Sequence, residues 1–227
     1  MDINVLSLPS KGWKSELPEQ FEMRLFEGRQ IRQIAKAIET KDMRPILLEA
    51  LPECLSVPID ALTIQDAHAL ILQQRLAMKA VSPLLVRWNC KKPMFEYSDG
   101  VKQDLQEDRP AINAFPCDAR NISELDESSL LIYSLSAESE EFDLARMRDY
   151  EQASESMFNW NVAHLGPNFN QNMARLEQER DLSLWLRLSD WVTDSRHGIS
   201  TEISLPCHSC GRHSIRDWQM TPSIFVG

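Results

Sequence analysis

Pro206-Cys207-His208-Ser209-Cys210-Gly211 is the stretch on which the reading of this chain turns. Two cysteines three positions apart, turned by a glycine, are half of a tetrahedral metal site, because glycine lets the backbone curl until amide N–H groups face sulfur. Ahead of it Ile199, Thr201, Ile203 and Leu205 alternate along the chain, and 213–220 returns as a partner strand, so the knuckle sits between two strands. A redox pair has the same Cys-x-x-Cys spacing, but such pairs usually open a helix, and here glycine and strand-like sequence follow. A knuckle that has lost its metal is the third alternative.

Three of the five cysteines remain to complete the site: Cys54, Cys90 and Cys117. Cys90 ends the strand-like run Leu84-Leu85-Val86-Arg87-Trp88, just as Cys207 ends its own strand, so two strand ends can meet. Cys117 lies in Phe115-Pro116-Cys117-Asp118. Cys54 closes an apolar helical run, where a free cysteine behaves as a small hydrophobe. The expected ligands are therefore Cys90, Cys117, Cys207 and Cys210, with His213 as substitute; His208 lies inside the turn, where its ring points outward. Zinc is the expected ion, and four protein ligands leave it no open position, which makes the site structural.

Outward from the knuckle, the chain is expected to be α+β and predominantly helical, with small β elements gathered at the zinc knuckle. Pro9, Gly12 and Pro18 make 1–20 an extended arm. A mainly helical domain follows at 21–90. It opens with a short strand at 21–25, then a helix with Ile31, Ile34, Ala35 and Ile38 on one face. Asp42 caps a second helix through Pro45. Thr63 with Asp66 reads as a capping box before Ile64, Ala67, Leu70 and Ile71. Residues 91–127 are polar, acidic and proline-punctuated, an insertion or long loop. In 128–227 a strand is expected at 130–133, helices at 142–157, 170–179 and 182–195, and Arg196-His197-Gly198 as a helix C-terminus with a glycine after it.

Charge is segregated: the chain carries −10 overall, and between Asp99 and Glu155 fifteen acidic residues stand against five basic ones. That predicts one acidic surface, which repels nucleic acid and anionic membrane and suits a basic protein partner or mere solvation. No signal segment and no apolar run long enough to span a bilayer occur. The odd cysteine count argues for a reducing compartment rather than a disulfide framework. Catalysis has no further support: there is no glycine-rich phosphate loop and no nucleophile elbow. His68 reads as a core or boundary histidine. Trp13, Trp88, Trp160 and Trp218 are interface anchors or, by default, core.

Leu8-Pro9-Ser10-Lys11-Gly12, placed before this helical half, gives the chain a family likeness. With the capped helix from Leu62-Thr63-Ile64-Gln65-Asp66, the strand ending Trp88-Asn89-Cys90, the turn Arg196-His197-Gly198, the knuckle and a terminal Phe225, it resembles the baseplate hub and hub-assembly proteins of T-even-type contractile-tailed phages. The likeness covers 5–90 and 180–227, and departs from the family in the middle. Members have a second Cys-x-x-Cys after the first cysteine strand, whereas Cys90-Lys91-Lys92-Pro93 lacks its second thiol, so that Cys117 replaces it. The resemblance implies a non-enzymatic virion protein, a baseplate hub subunit or else a chaperone of tail assembly, made in the host cytoplasm. Its partners would be other tail proteins (hub, tube or tape-measure) within a symmetric assembly, with no nucleic acid or membrane. Leu8, Pro9, Lys11 and Trp13 on the arm are the expected partner-binding residues.

Overall fold

The computed structural model describes residues 1–78, 84–91, 93–98, 101–104, 114–125, 130, 132–178, 182–200, 202–217 and 220–225. The chain divides into two compact units. Unit 1 comprises 1–81, 131–200 and 220–226; unit 2 comprises 82–130 and 201–219, with Gly227. The units cut across the segments 21–90, 91–127 and 128–227 drawn from the sequence, because the chain passes repeatedly from one to the other. The acidic run is divided too, with 99–130 in unit 2 and 131–155 in unit 1, so it is not the charge of a single body. Part of that run, 99–100, 105–113, 126–129 and 131, lies outside the described residues, as does Trp218.

In chain order the elements are β1 (Asp2–Asn4), β2 (Gln20–Glu22), α1 (Gly28–Thr40), α2 (Ile64–Ala77), β3 (Leu84–Asn89), β4 (Pro93–Ser98), β5 (Val101–Asp104), β6 (Ala114–Pro116), β7 (Arg120–Leu125) and β8 (Ile132–Tyr133). There follow α3 (Tyr150–Ala153), α4 (Met157–Val162), α5 (Phe169–Gln178), α6 (Ser183–Asp194), β9 (Gly198–Ile199), β10 (Glu202–Pro206) and β11 (His213–Asp217). The fold is mixed α+β, with small antiparallel sheets.

Unit 1 is organised around α2. Its capping box forms as expected: Asp66 N–H donates to Thr63 Oγ1 at 3.0 Å, and Thr63 N–H donates to Asp66 Oδ2 at 3.2 Å. Ile64, Ala67, Ala69, Leu70, Ile71 and Leu72 are all buried, so this helix is covered on nearly every face and has no amphipathic stripe. On α1 the buried positions are Gln30, Ile34 and Ala37, and Ile31 is exposed. The inward face is thus rotated from the expected one, because Gln30 is held inside by Glu27 N–H and by Glu53 Oε2. After Asp42, Pro45–Ala50 winds more widely than an α-helix, with Leu51 N–H reaching the Ile46 carbonyl five residues back. A second cluster joins Leu135, Phe142 and Leu144 to Leu184, Leu188 and Trp191.

The arm expected at 1–20 is folded onto unit 1. β1 pairs with β2, Leu8 is completely buried, and Leu135 N–H donates to the Pro9 carbonyl at 2.8 Å. Ser10 is equally buried, its N–H and Oγ–H donating to the two oxygens of Asp66 at 2.9 and 2.7 Å. Arg146 locks the far end of the segment. Its guanidinium donates to the carbonyls of Trp13, Lys14 and Ala61 and pairs with Asp143 at 3.0 Å. That network explains a further difference. The helix expected across 142–157 is broken: Arg146 bridges to Thr63 in strand fashion, Asp143 N–H bonds to the His164 carbonyl, and helix resumes only in α3 and α4. Local periodicity loses there to tertiary hydrogen bonds. Gly198 likewise does not follow the end of α6, where Ser195 is the capping residue; it opens β9 at φ +101°, pressed against the Gln65 side chain.

Candidate metal centre

In unit 2, two two-stranded ladders each deliver two cysteines. In the first, β3 and β7 run antiparallel from Leu84↔Leu125 to Asn89↔Arg120. One step beyond, Cys90 N–H bonds to the Ala119 carbonyl at 2.9 Å, so Cys90 and Cys117 leave the same end of the ladder. The stretch expected to be a loop is in part a sheet, β5-β4-β6, inserted between those two cysteines. In the second ladder β10 and β11 pair from Glu202↔Asp217 to Pro206↔His213. The knuckle closes that end, with Cys207 N–H on the Arg212 carbonyl, Gly211 N–H on the Cys207 carbonyl at 2.8 Å, and Gly211 at φ +70°. A left-handed residue is required at that turn, and glycine supplies it without strain.

The four sulfurs of Cys90, Cys117, Cys207 and Cys210 all lie within 4.8 Å of one another. Cys117 and Cys207 are 3.7 Å apart, Cys90 and Cys210 3.8 Å. With Zn–S bonds of about 2.3 Å, the edge of a ZnS₄ tetrahedron is about 3.8 Å. These contacts are far too long for disulfides, at about 2.05 Å. All four residues belong to unit 2, so the cluster ties the two ladders of that unit together. Cys90, Cys117 and Cys207 are buried, which keeps water from competing for the sulfurs.

Asn121, near the start of β7, completes the surroundings, and sequence reading passed it over. It is 3% exposed; its amide donates to Cys207 Sγ at 3.6 Å and to the Ala119 carbonyl, while its Oδ1 accepts the His208 N–H at 3.0 Å. One side chain thus spans both ladders and turns an N–H toward sulfur. Its only sequence signal is a polar amide four residues after Cys117 on an otherwise alternating strand. Burial pushes the Cys207 thiol up, but the N–H groups of Cys210 and Ser209, then Asn121 and Cys117, outweigh it and hold the group at about 6. Burial and the neighbouring sulfurs push Cys210 up to about 11. Cys207 is therefore the ready thiolate of the cluster, and a cation entering among the sulfurs would displace the proton that Cys210 holds.

His213 is not in this group; its Nδ1 faces Ser204 Oγ at 3.2 Å. His208 points its Nε2 at the Ile122 carbonyl. Cys54 is buried in unit 1, where burial raises its thiol, in keeping with a small apolar filler. Of the arm residues, Leu8 and Pro9 are inside the core, Trp13 is half-buried with its ring 5.5 Å from that of Trp191, and Lys11 is exposed. Trp88 is buried, its Nε1 donating to Ser123 Oγ. No described helix is long and apolar enough to cross a membrane. Comparisons with family models, with curated proteins and with solved structures find no match.

Proposed function

We propose that this chain is a structural binding protein whose unit 2 is fastened by a zinc ion on Cys90, Cys117, Cys207 and Cys210. The observation that carries the reading is the spacing of the four sulfurs, 3.7 and 3.8 Å across the two ladders, which matches the edge of a tetrathiolate tetrahedron. Four thiolates fill the coordination sphere, so zinc there fixes backbone rather than activating water or substrate. The protein works by docking, not turnover.

The sequence resemblance gives the setting: a subunit of the baseplate hub of a contractile phage tail, acting on other tail proteins within the virion. The folded Leu8-Pro9-Ser10-Lys11-Gly12 segment supports the reading by giving the shared motif a physical role. Ser10 satisfies the Asp66 carboxylate at the head of α2 and also accepts the Gly12 N–H, so the motif seats the N-terminus on the first turn of that helix. Two measurements test the proposal. Elemental analysis of protein purified without chelator should find one zinc per chain. Mass spectrometry of purified particles should find the chain at a fixed copy number. A chain required for tail assembly yet absent from finished particles would be an assembly chaperone instead.

A further inference from the structure

α4 and α6 of unit 1 lie side by side, joined through Phe158 and Trp185, whose rings stack with centroids 5.2 Å apart. Around that pair Met157, Leu182 and Leu186 are 83%, 72% and 59% exposed. Leu182, Trp185, Leu186 and Ser189 follow helical spacing, so they form one stripe along α6. Scattered exposed apolar side chains are ordinary on a protein surface; contiguous ones mark an interface.

The stripe runs into a cavity of about 380 Å³, lined by Met157 and Ser189 from the ledge and, deeper, by Trp160, His164 and His197. His164 Nδ1 is 2.8 Å from the Trp160 carbonyl, and His197 Nδ1 is 2.8 Å from the Ser195 carbonyl. A carbonyl only accepts, so each Nδ1 carries the proton and each Nε2 is left as an acceptor. His197 Nε2 is buried and has no hydrogen-bond partner among the described residues. A donor entering the cavity completes it.

Charge decides what kind of occupant fits. Residues 131–200, which carry both helices, hold twelve acidic and six basic residues. Asp190 and Asp194 stand exposed on α6, and Glu151 on α3 and Glu155 in the turn before α4 are exposed too, while Arg187 is paired with Glu141 at 2.9 Å. Arg196 at the cavity is the opposing charge. A second copy of the chain would bring the same acidic rim against itself, and an anionic membrane would be repelled.

We propose that this ledge and cavity are the docking surface for an amphipathic helix of another protein, apolar where it lies on α4 and α6 and bearing lysine or arginine on its flanks. Helix-in-groove binding uses this combination, with apolar anchors for affinity and charge for orientation. The inference rests on the binding reading above and names the partner segment it would take.

The test uses the full chain and a helix-forming leucine–lysine peptide with leucines at helical spacing, followed by calorimetric titration. Controls are a scrambled peptide of the same composition and a leucine–glutamate counterpart. The patterned basic peptide should bind at least about tenfold more tightly than either control. Met157→Ser with Leu186→Ser, both on exposed side chains, should weaken it about tenfold at an unchanged melting temperature. Equal binding of patterned and scrambled peptides, or an affinity untouched by the double variant, would overturn the proposal. So would self-association of the wild-type chain that the double variant abolishes, because the ledge would then pair copies. Particle mass spectrometry reads the virion assignment separately: a chain absent from particles that still binds the patterned peptide keeps the ledge and loses the hub.

Discussion

At Gly12 the backbone stands at φ +70°, and a Cβ there would overlap Val5 Cγ1. Both the conformation and the space exclude any larger residue, so Gly12→Ala should destabilise the fold by about 1–3 kcal/mol. In a chain of this size that corresponds to a melting temperature lower by roughly 2–10 °C, measurable by calorimetry. His164 gives a pH signature. Burial pushes its imidazole down to about 4, against the Trp160 carbonyl that raises it. The unfolded chain protonates this histidine near pH 6.5, while the folded chain keeps it neutral until about pH 4. Its contribution is therefore complete above about pH 6.5 and declines as the pH falls from there toward 4. His68 is pushed in the same direction, to about 4, also by burial. Urea titrations at intervals between pH 7.5 and 4.5 should show the decline, and His164→Gln should make it shallower. An unchanged slope in that variant would remove His164 from the account.

At the scale of elements, what matters is that each ladder ends in two cysteines. Changing any one of Cys90, Cys117, Cys207 or Cys210 to serine should abolish stoichiometric zinc and the thiolate-to-metal absorption of the cobalt-substituted protein. Cys54→Ser, in unit 1 and outside the cluster, should leave both intact. Asn121→Ala should keep the ion but weaken its affinity by about 10- to 100-fold, as loss of a hydrogen bond to a ligand typically does; competition against a chromophoric chelator would read it. Cys207 and Cys210 were legible from their spacing alone. Cys90 was legible as a strand end. Cys117 was an assignment across a long gap in sequence, and what brings it home is the β3–β7 register, which no local pattern contains. Asn121 could not be singled out, because its role exists only once the knuckle packs against β7.

Across the whole molecule the two units differ in what holds them. Unit 1 has a deep core, with Leu8, Met23, Ile46, Leu47, Leu51, Leu62, Ile64, Leu70 and Ile71 fully enclosed. The described apolar core of unit 2 is short: Leu84, Trp88, Leu125, Leu130, Ile203 and Leu205, besides its cysteines. Structural zinc supplies about 10–16 kcal/mol in isolated fingers, and here it would fasten both ladders of unit 2. Chelation should therefore unfold unit 2 first. Hydrogen exchange should show lost protection along β3, β7, β10 and β11, with α2 still protected. A chelated protein with unchanged protection in those four strands would mean that no metal supports them.

The sequence by itself determined the local features that are closed over a few residues: the Thr63–Asp66 cap, the extents of α5 and α6 to within a residue, and the Cys207–Gly211 turn. Each depends on hydrogen bonds or side-chain spacing within one or two turns of chain. Only the tertiary structure decided the rest. It folded the first twenty residues back, because Ser10 completes the bonding of the buried Asp66 carboxylate and the Trp13 and Lys14 carbonyls accept from the Arg146 guanidinium. It broke the helix expected at 142–157 for the same reason, since backbone groups at Asp143 and Arg146 find distant partners there. It also set the four sulfurs within 4.8 Å of one another, a closure that depends on two ladder registers and is written in no single stretch of the chain.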